Sequence, residues 1–93
     1  MIQVSAELYP DTSGLYERGA DYDGHRTWSR QGGGWFLWYS MNDLTYALST
    51  EIGNATAETD RYWINYFELD EPQGTYNAQG TASGNAVVTD FVP

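Results

Sequence analysis

Gly32-Gly33-Gly34-Trp35-Phe36-Leu37-Trp38-Tyr39, then Met41-Asn42-Asp43-Leu44 and Tyr46-Ala47-Leu48-Ser49-Thr50, is the stretch that decides the fold class. Two runs of aromatic and aliphatic side chains flank a short polar turn, and each run is strand-sized rather than helix-sized. Five consecutive large apolar residues at 35–39 cannot all face one core, because neighbouring side chains leave an extended strand on opposite faces. Either both faces of this strand are covered, or one of them is a binding site.

Working outward, the same texture continues. Residues 2–9 alternate Val4, Ala6 and Leu8 with Gln3, Ser5 and Glu7, and Pro10-Asp11-Thr12-Ser13-Gly14 closes that strand. Residues 15–18 read as a second strand and 25–30 as a third, with Asp23-Gly24 as the tight hairpin turn nearby. Residues 61–69 read as a further aromatic strand, and the polar, small residues 51–60 as an exposed loop. No segment carries a helical period. The expectation is an all-β domain: an antiparallel β-sandwich or open barrel of six to seven short strands, with Leu15, Trp28, Phe36, Trp38, Leu48, Ile64 and Tyr66 in its core.

A chain of 93 residues has room for one core, and without cysteine it has no disulfide to reinforce it. Its stability has to come from ring packing or from neighbours in an assembly: 4 Trp, 8 Tyr and 3 Phe are available, each able to bury on the order of 150–250 Å². A single domain is expected over residues 1–93, divided into a core module at 1–73 and a segment at 74–93 that is either a C-terminal strand or a docking arm. From residue 75 to 90 the side chains are mostly Gly, Ala, Ser, Thr, Asn and Val, so ordering that backbone, at roughly 1–2 kcal/mol per residue, needs partners from elsewhere. An open sheet edge, in the same chain or another, would supply them, and on the docking-arm reading a chain ending at Gln73 still folds.

Thirteen acidic residues against four arginines give a net charge of −9. Such a surface repels phosphate backbones and anionic bilayers, so neither nucleic acid nor membrane is expected as a partner. No apolar run has the length of a membrane span, and the first residues lack the basic and apolar regions of a signal peptide, which leads to an expectation of synthesis in a host cytoplasm.

Reactive constellations are sparse. His25 is the one histidine and has no second His or Cys to complete a transition-metal set. Asp21-Tyr22-Asp23-Gly24 spaces two carboxylates as calcium loops do, but His25-Arg26 follow where further acid is needed. Ser29, His25 and Asp21 make a triad only on paper, and Glu17, Asp21, Glu51 and Asp60 are carboxylates without a known separation. Gly32-Gly33-Gly34 lacks the Lys-Ser/Thr of a phosphate loop. No catalytic residues, no metal and no cofactor are therefore expected, and the protein is read as a non-enzyme.

The surplus of rings is the positive signal. Trp28, Trp35, Tyr39, Tyr62 and Trp63, with Val87 and Phe91 on the C-terminal segment, are the candidate residues for contact with a protein partner or a glycan. There is also a short internal echo: Gly14-Leu15-Tyr16 and Gly74-Thr75-Tyr76 each follow a proline, and each Tyr precedes a Gly, Gly24 or Gly84, at equal spacing.

Gly14-Leu15-Tyr16, Ala20-Asp21-Tyr22-Asp23-Gly24-His25-Arg26-Thr27-Trp28, Trp35-Phe36-Leu37-Trp38-Tyr39 and Ala47-Leu48-Ser49-Thr50-Glu51-Ile52-Gly53 together resemble a small Gly-x-Tyr/aromatic β module of bacteriophage virion proteins and repeated, non-enzymatic surface proteins. The likeness covers about residues 14–66. It implies a structural or assembly role on a virion, such as capsid decoration or a head-surface protein. The partner would then be the capsid shell or the protein's own copies in a homo-oligomer. A carbohydrate-binding module using exposed Trp and Tyr is the alternative.

Overall fold

The computed structural model describes residues 1–41, 43–53, 61–65 and 71–90, leaving out the side chain of Arg61. Eight strands follow one another: β1 (Ile2–Ser5), β2 (Gly14–Arg18), β3 (Trp28–Arg30), β4 (Phe36–Ser40), β5 (Thr45–Ser49), β6 (Arg61–Asn65), β7 (Gly74–Gly80) and β8 (Ala86–Asp90). Each pairs antiparallel with the next, and β8 returns to β1 through Ile2↔Asp90, Gln3↔Thr89, Val4↔Val88 and Ser5↔Val87. The sheet is thus a closed up-and-down barrel of eight strands, not a sandwich or an open barrel of six to seven. The miscount has a physical origin. Residues 74–90 carry few large side chains, so their two strands read as one small-residue segment, yet the pairing Thr75↔Val87 and Tyr76↔Ala86 folds them into a hairpin within the barrel wall. That hairpin closes the ring, and no described strand has an unpaired edge.

An eight-stranded barrel is just wide enough for side chains to fill its interior. Here Ile2, Val4, Tyr16, Trp28, Trp35, Leu37, Tyr46, Leu48, Trp63, Tyr76, Ala86 and Val88 form one buried cluster. Short strands enclose little volume per residue, and large rings fill it: Tyr16, Trp28, Trp35, Tyr46, Trp63 and Tyr76 all lie in this cluster. Of the expected core, Trp28 and Leu48 belong to the cluster, Leu15, Phe36 and Ile64 are only half-buried, and Tyr66 lies outside the described residues. The difference is one of phase. The register Trp28↔Leu37↔Leu48 lines up Leu37 with the interior, so Trp35, Leu37 and Tyr39 face inward while Phe36 and Trp38 face out. Trp38 is nevertheless buried: its indole N–H donates to Ser49 Oγ (2.8 Å), and Tyr22 stands edge-on to it at 6.0 Å. Both faces of β4 are covered, which answers the question its five apolar residues posed.

The sequence echo corresponds to a repeated arrangement. Gly14 pairs with Val4 and Gly74 with Val88, and both glycines have strongly positive φ (131° and 138°), which a side chain would resist. Two residues on, Tyr16 Oη donates to Thr12 O (2.7 Å) and Tyr76 Oη to Pro72 O (2.6 Å), each four residues back. Across the next strand pair, Arg30 Nε donates to Ser13 O (3.0 Å) and Asn65 Nδ2 to Gln73 O (3.2 Å). Trp28 opposes Arg18 and Trp63 opposes Ala78, at matching distances from the two tyrosines. The β1 partner of β2 precedes it in the chain, whereas the β8 partner of β7 follows it. The equivalence is therefore one of local geometry, with two barrel corners at opposite ends closed by the same device.

Candidate functional site

A meander places alternate loops at opposite ends. The β1–β2, β3–β4, β5–β6 and β7–β8 connections share one end; the N-terminus and the β2–β3, β4–β5 and β6–β7 connections share the other.

At the first end lies an open cleft of about 520 Å³, lined by Glu7, Leu8, Tyr9, Asp11, Ser13 and Ser83, with Ala6 at its edge. It is built across two loops that the main chain ties together: Tyr9 N–H donates to Ser83 O (3.0 Å) and Ser83 N–H to Tyr9 O (2.8 Å). Gly84 is what lets the loops approach, since a Cβ there would clash with the Glu7 carbonyl oxygen and its φ is +88°. Below them the Trp63 indole donates to Gly84 O (2.8 Å), which fixes the β7–β8 loop to the core. Ala6 holds a φ of 119°, a region that residues with a Cβ seldom occupy, and the Tyr9–Pro10 peptide is cis. Tyr9 is 57% exposed.

Asp11 is the ordered acid of this cleft. Ser13 donates to the same carboxylate oxygen, Oδ1, through Oγ (2.6 Å) and through its backbone N–H (3.1 Å). Those two bonds, helped by the Arg30 charge, hold the Asp11 pKa below its ordinary value, so the group stays ionised. In the core below, burial raises the pKa of both Tyr16 and Tyr76 and keeps their phenols protonated as donors.

The opposite end has a different chemistry. The Tyr22↔His25 bridge closes the two-residue Asp23-Gly24 turn, and the His25 ring stacks on Tyr39 at 4.1 Å, 17° from parallel. Arg18 and Arg26 lie over the Trp28 ring at 5.7 and 5.3 Å, with Arg18 also paired to Asp21 at 2.7 Å. Asp21 is thus engaged by an arginine rather than by a histidine. Met41 and Leu44, on the β4–β5 turn at this end, are exposed, whereas Tyr22 lies along the wall against Trp38 with its hydroxyl near Gly53, and Met1 Sδ accepts from Gln31 Nε2 (3.9 Å).

The residues singled out from sequence are scattered by this arrangement. Trp28, Trp35 and Trp63 are core residues and present no ring face to a partner. Tyr39 is half-buried beneath His25, Tyr62 is half-buried, Val87 is exposed on the β8 wall, and Phe91 lies outside the described residues. None of them lines the cleft. Tyr9, Asp11 and Ser13 were passed over because Tyr9-Pro10-Asp11-Thr12-Ser13-Gly14 reads as turn chemistry; what marks it is a large ring beside a turn, where loops carry function. Among the described residues no group of three His, Cys, Asp or Glu side chains converges as a metal site, and no helix is long and apolar enough to cross a membrane. No protein-family model, curated protein or solved structure matches the chain.

Proposed function

We propose that this chain is a non-catalytic structural module that takes its place in a multi-copy assembly. A virion surface, with the protein as a capsid-decoration or head-surface component, is the setting its sequence resemblance suggests. One observation carries the reading: Met41 and Leu44, two of the six exposed large apolar side chains among the described residues, stand together on the β4–β5 turn at one end of a closed barrel. A closed barrel has no strand edge to offer, so contact between copies has to use side chains, and apolar ones gathered at one end suit that task. The dispersed negative charge of the remaining surface disfavours indiscriminate association and leaves this end as the preferred contact.

Size-exclusion chromatography with light scattering, run over a range of concentrations, tests it. The wild-type chain is expected to exceed its 10.5 kDa monomer mass as concentration rises, and the double variant Met41→Glu/Leu44→Glu to stay monomeric. A wild type that remains monomeric throughout, or a double variant that associates equally well, contradicts the proposal.

A further inference from the structure

The cleft at the other end has features that assembly through the apolar end does not use. Its volume of about 520 Å³ is that of a small-ligand site, and it is open, shallow and polar. Tyr9 offers an exposed ring whose backbone is held by two hydrogen bonds to Ser83. Asp11 has Oδ1 filled by Ser13, while Oδ2 has no partner among the described residues and, on an exposed residue, is left as an acceptor. The Ser13 hydroxyl hydrogen is engaged in the bond to Asp11, so its oxygen lone pairs can only accept. The Ser83 hydroxyl adds a group that can donate or accept. A flat ring beside acceptors held in fixed directions matches a molecule with a C–H face and a rim of hydroxyl donors. Glu7 and Asp11 bring two carboxylates to the lining, no Lys or Arg among the described residues lines it, and Arg30 reaches only the Ser13 carbonyl behind it, which disfavours anionic sugars.

We propose that this cleft binds a neutral saccharide, with the Tyr9 ring packed on the sugar's C–H face and with Asp11, Ser13 and Ser83 bonding its hydroxyls. The site is independent of the apolar end. The tie between its two loops lowers the ordering cost of binding, while the small contact keeps the affinity weak, with a dissociation constant on the order of 1 mM for a single sugar.

The test is a ¹H–¹⁵N correlation titration of the whole chain with methyl β-D-glucopyranoside, methyl β-D-galactopyranoside, methyl α-D-mannopyranoside and N-acetylglucosamine. A parallel titration uses arginine amide as the cationic rival. At least one sugar is expected to shift resonances of residues 6–13 and 83, with an affinity unchanged by added salt. Tyr9→Ala and Asp11→Asn should each weaken that binding about tenfold or more, a loss of about 1.4 kcal/mol, and Tyr9→Trp should retain it. If Tyr9→Ala loses the dispersed spectrum of the fold, the exposed Asp11→Asn decides alone. Silence with all four sugars, shifts elsewhere, binding that survives these substitutions, or salt-sensitive binding of arginine amide without sugar binding overturns the proposal. Because the assembly reading is tested by Met41 and Leu44, failure here leaves it standing, and the reverse also holds.

Discussion

The two ends of the barrel are closed by the same tyrosine device yet finished in opposite ways. At the cleft end, main-chain hydrogen bonds between Tyr9 and Ser83, the Trp63 indole on Gly84 O and the Arg30 guanidinium on Ser13 O fix the loops to one another and to the core. At the other end the described hydrogen bonds to main chain stay within one connection or tie it to its own strands, as with Gly19 N–H to Thr27 O (2.9 Å) and Asn65 Nδ2 to Gln73 O (3.2 Å), and the remaining contacts are of rings: His25 on Tyr39, Tyr22 against Trp38, and two arginines on Trp28. Backbone ties fix distances between loops, whereas stacking leaves exposed apolar tips such as Met41 and Leu44 able to repack against a neighbour. The contrast teaches that a core can be common property while the ends diverge, one suited to holding a small ligand in place and the other to meeting a protein surface.

The largest effect expected comes from removing what both ends share. A chain ending at Gln73 loses β7 and β8, and with them Tyr76, Ala86 and Val88 from the core and the two strands that join β6 to β1. It is expected to lose its near-ultraviolet aromatic signal and cooperative unfolding altogether; a folded truncated chain would mean that the barrel is not a single unit.

A smaller pair of substitutions asks whether the two corners are equivalent in energy as well as in geometry. Tyr16→Phe removes the hydroxyl bonded to Thr12 O, and Tyr76→Phe the one bonded to Pro72 O, each buried. Each should cost about 1–3 kcal/mol in urea denaturation, since a buried carbonyl is left without its donor. Both phenols have pKa values raised above the ordinary 10.0, mainly by burial. A raised folded-state pKa contributes stability in full below the unfolded value and loses it as pH climbs towards the folded value. Alkaline unfolding should therefore set in above about pH 10, and each Phe variant should flatten that part of the profile. A large difference between the two variants would show that one corner dominates.

The smallest effect is local. Gly84→Ala sets a Cβ against the Glu7 carbonyl, so the Tyr9–Ser83 bridge should open, raising amide exchange in residues 6–13 and 81–85 while strand amides of β3 to β5 stay protected. Global stability should fall by no more than about 1–3 kcal/mol. Equal loss of protection at both ends would mean that the loops are not separately held.

How far these features can be read from the chain depends on where the side chains are large. The aromatic runs at 35–39 and 46–50 and the Asp23-Gly24 turn specify their strands and hairpin locally, and the structure has all three. Two things needed non-local information. The inward phase of β4 is set by Leu37 meeting both Trp28 and Leu48, contacts that cross strands and leave no trace in a run where every residue is apolar. Barrel closure depends on β7 and β8, whose small residues carry too little hydrophobic contrast to announce two strands. The cleft is harder still: its residues come from two loops 70 or more positions apart, joined by backbone groups that every sequence possesses.

The division of labour between the ends is tested most directly by following backbone amide resonances of the wild-type chain as it is diluted without any ligand. Association through the apolar end is expected to move signals at Met41 and Leu44 and to leave Tyr9, Asp11 and Ser83 where they are. Concentration-dependent shifts centred on Tyr9 and Ser83 instead, or a spectrum that does not change on dilution, would contradict it.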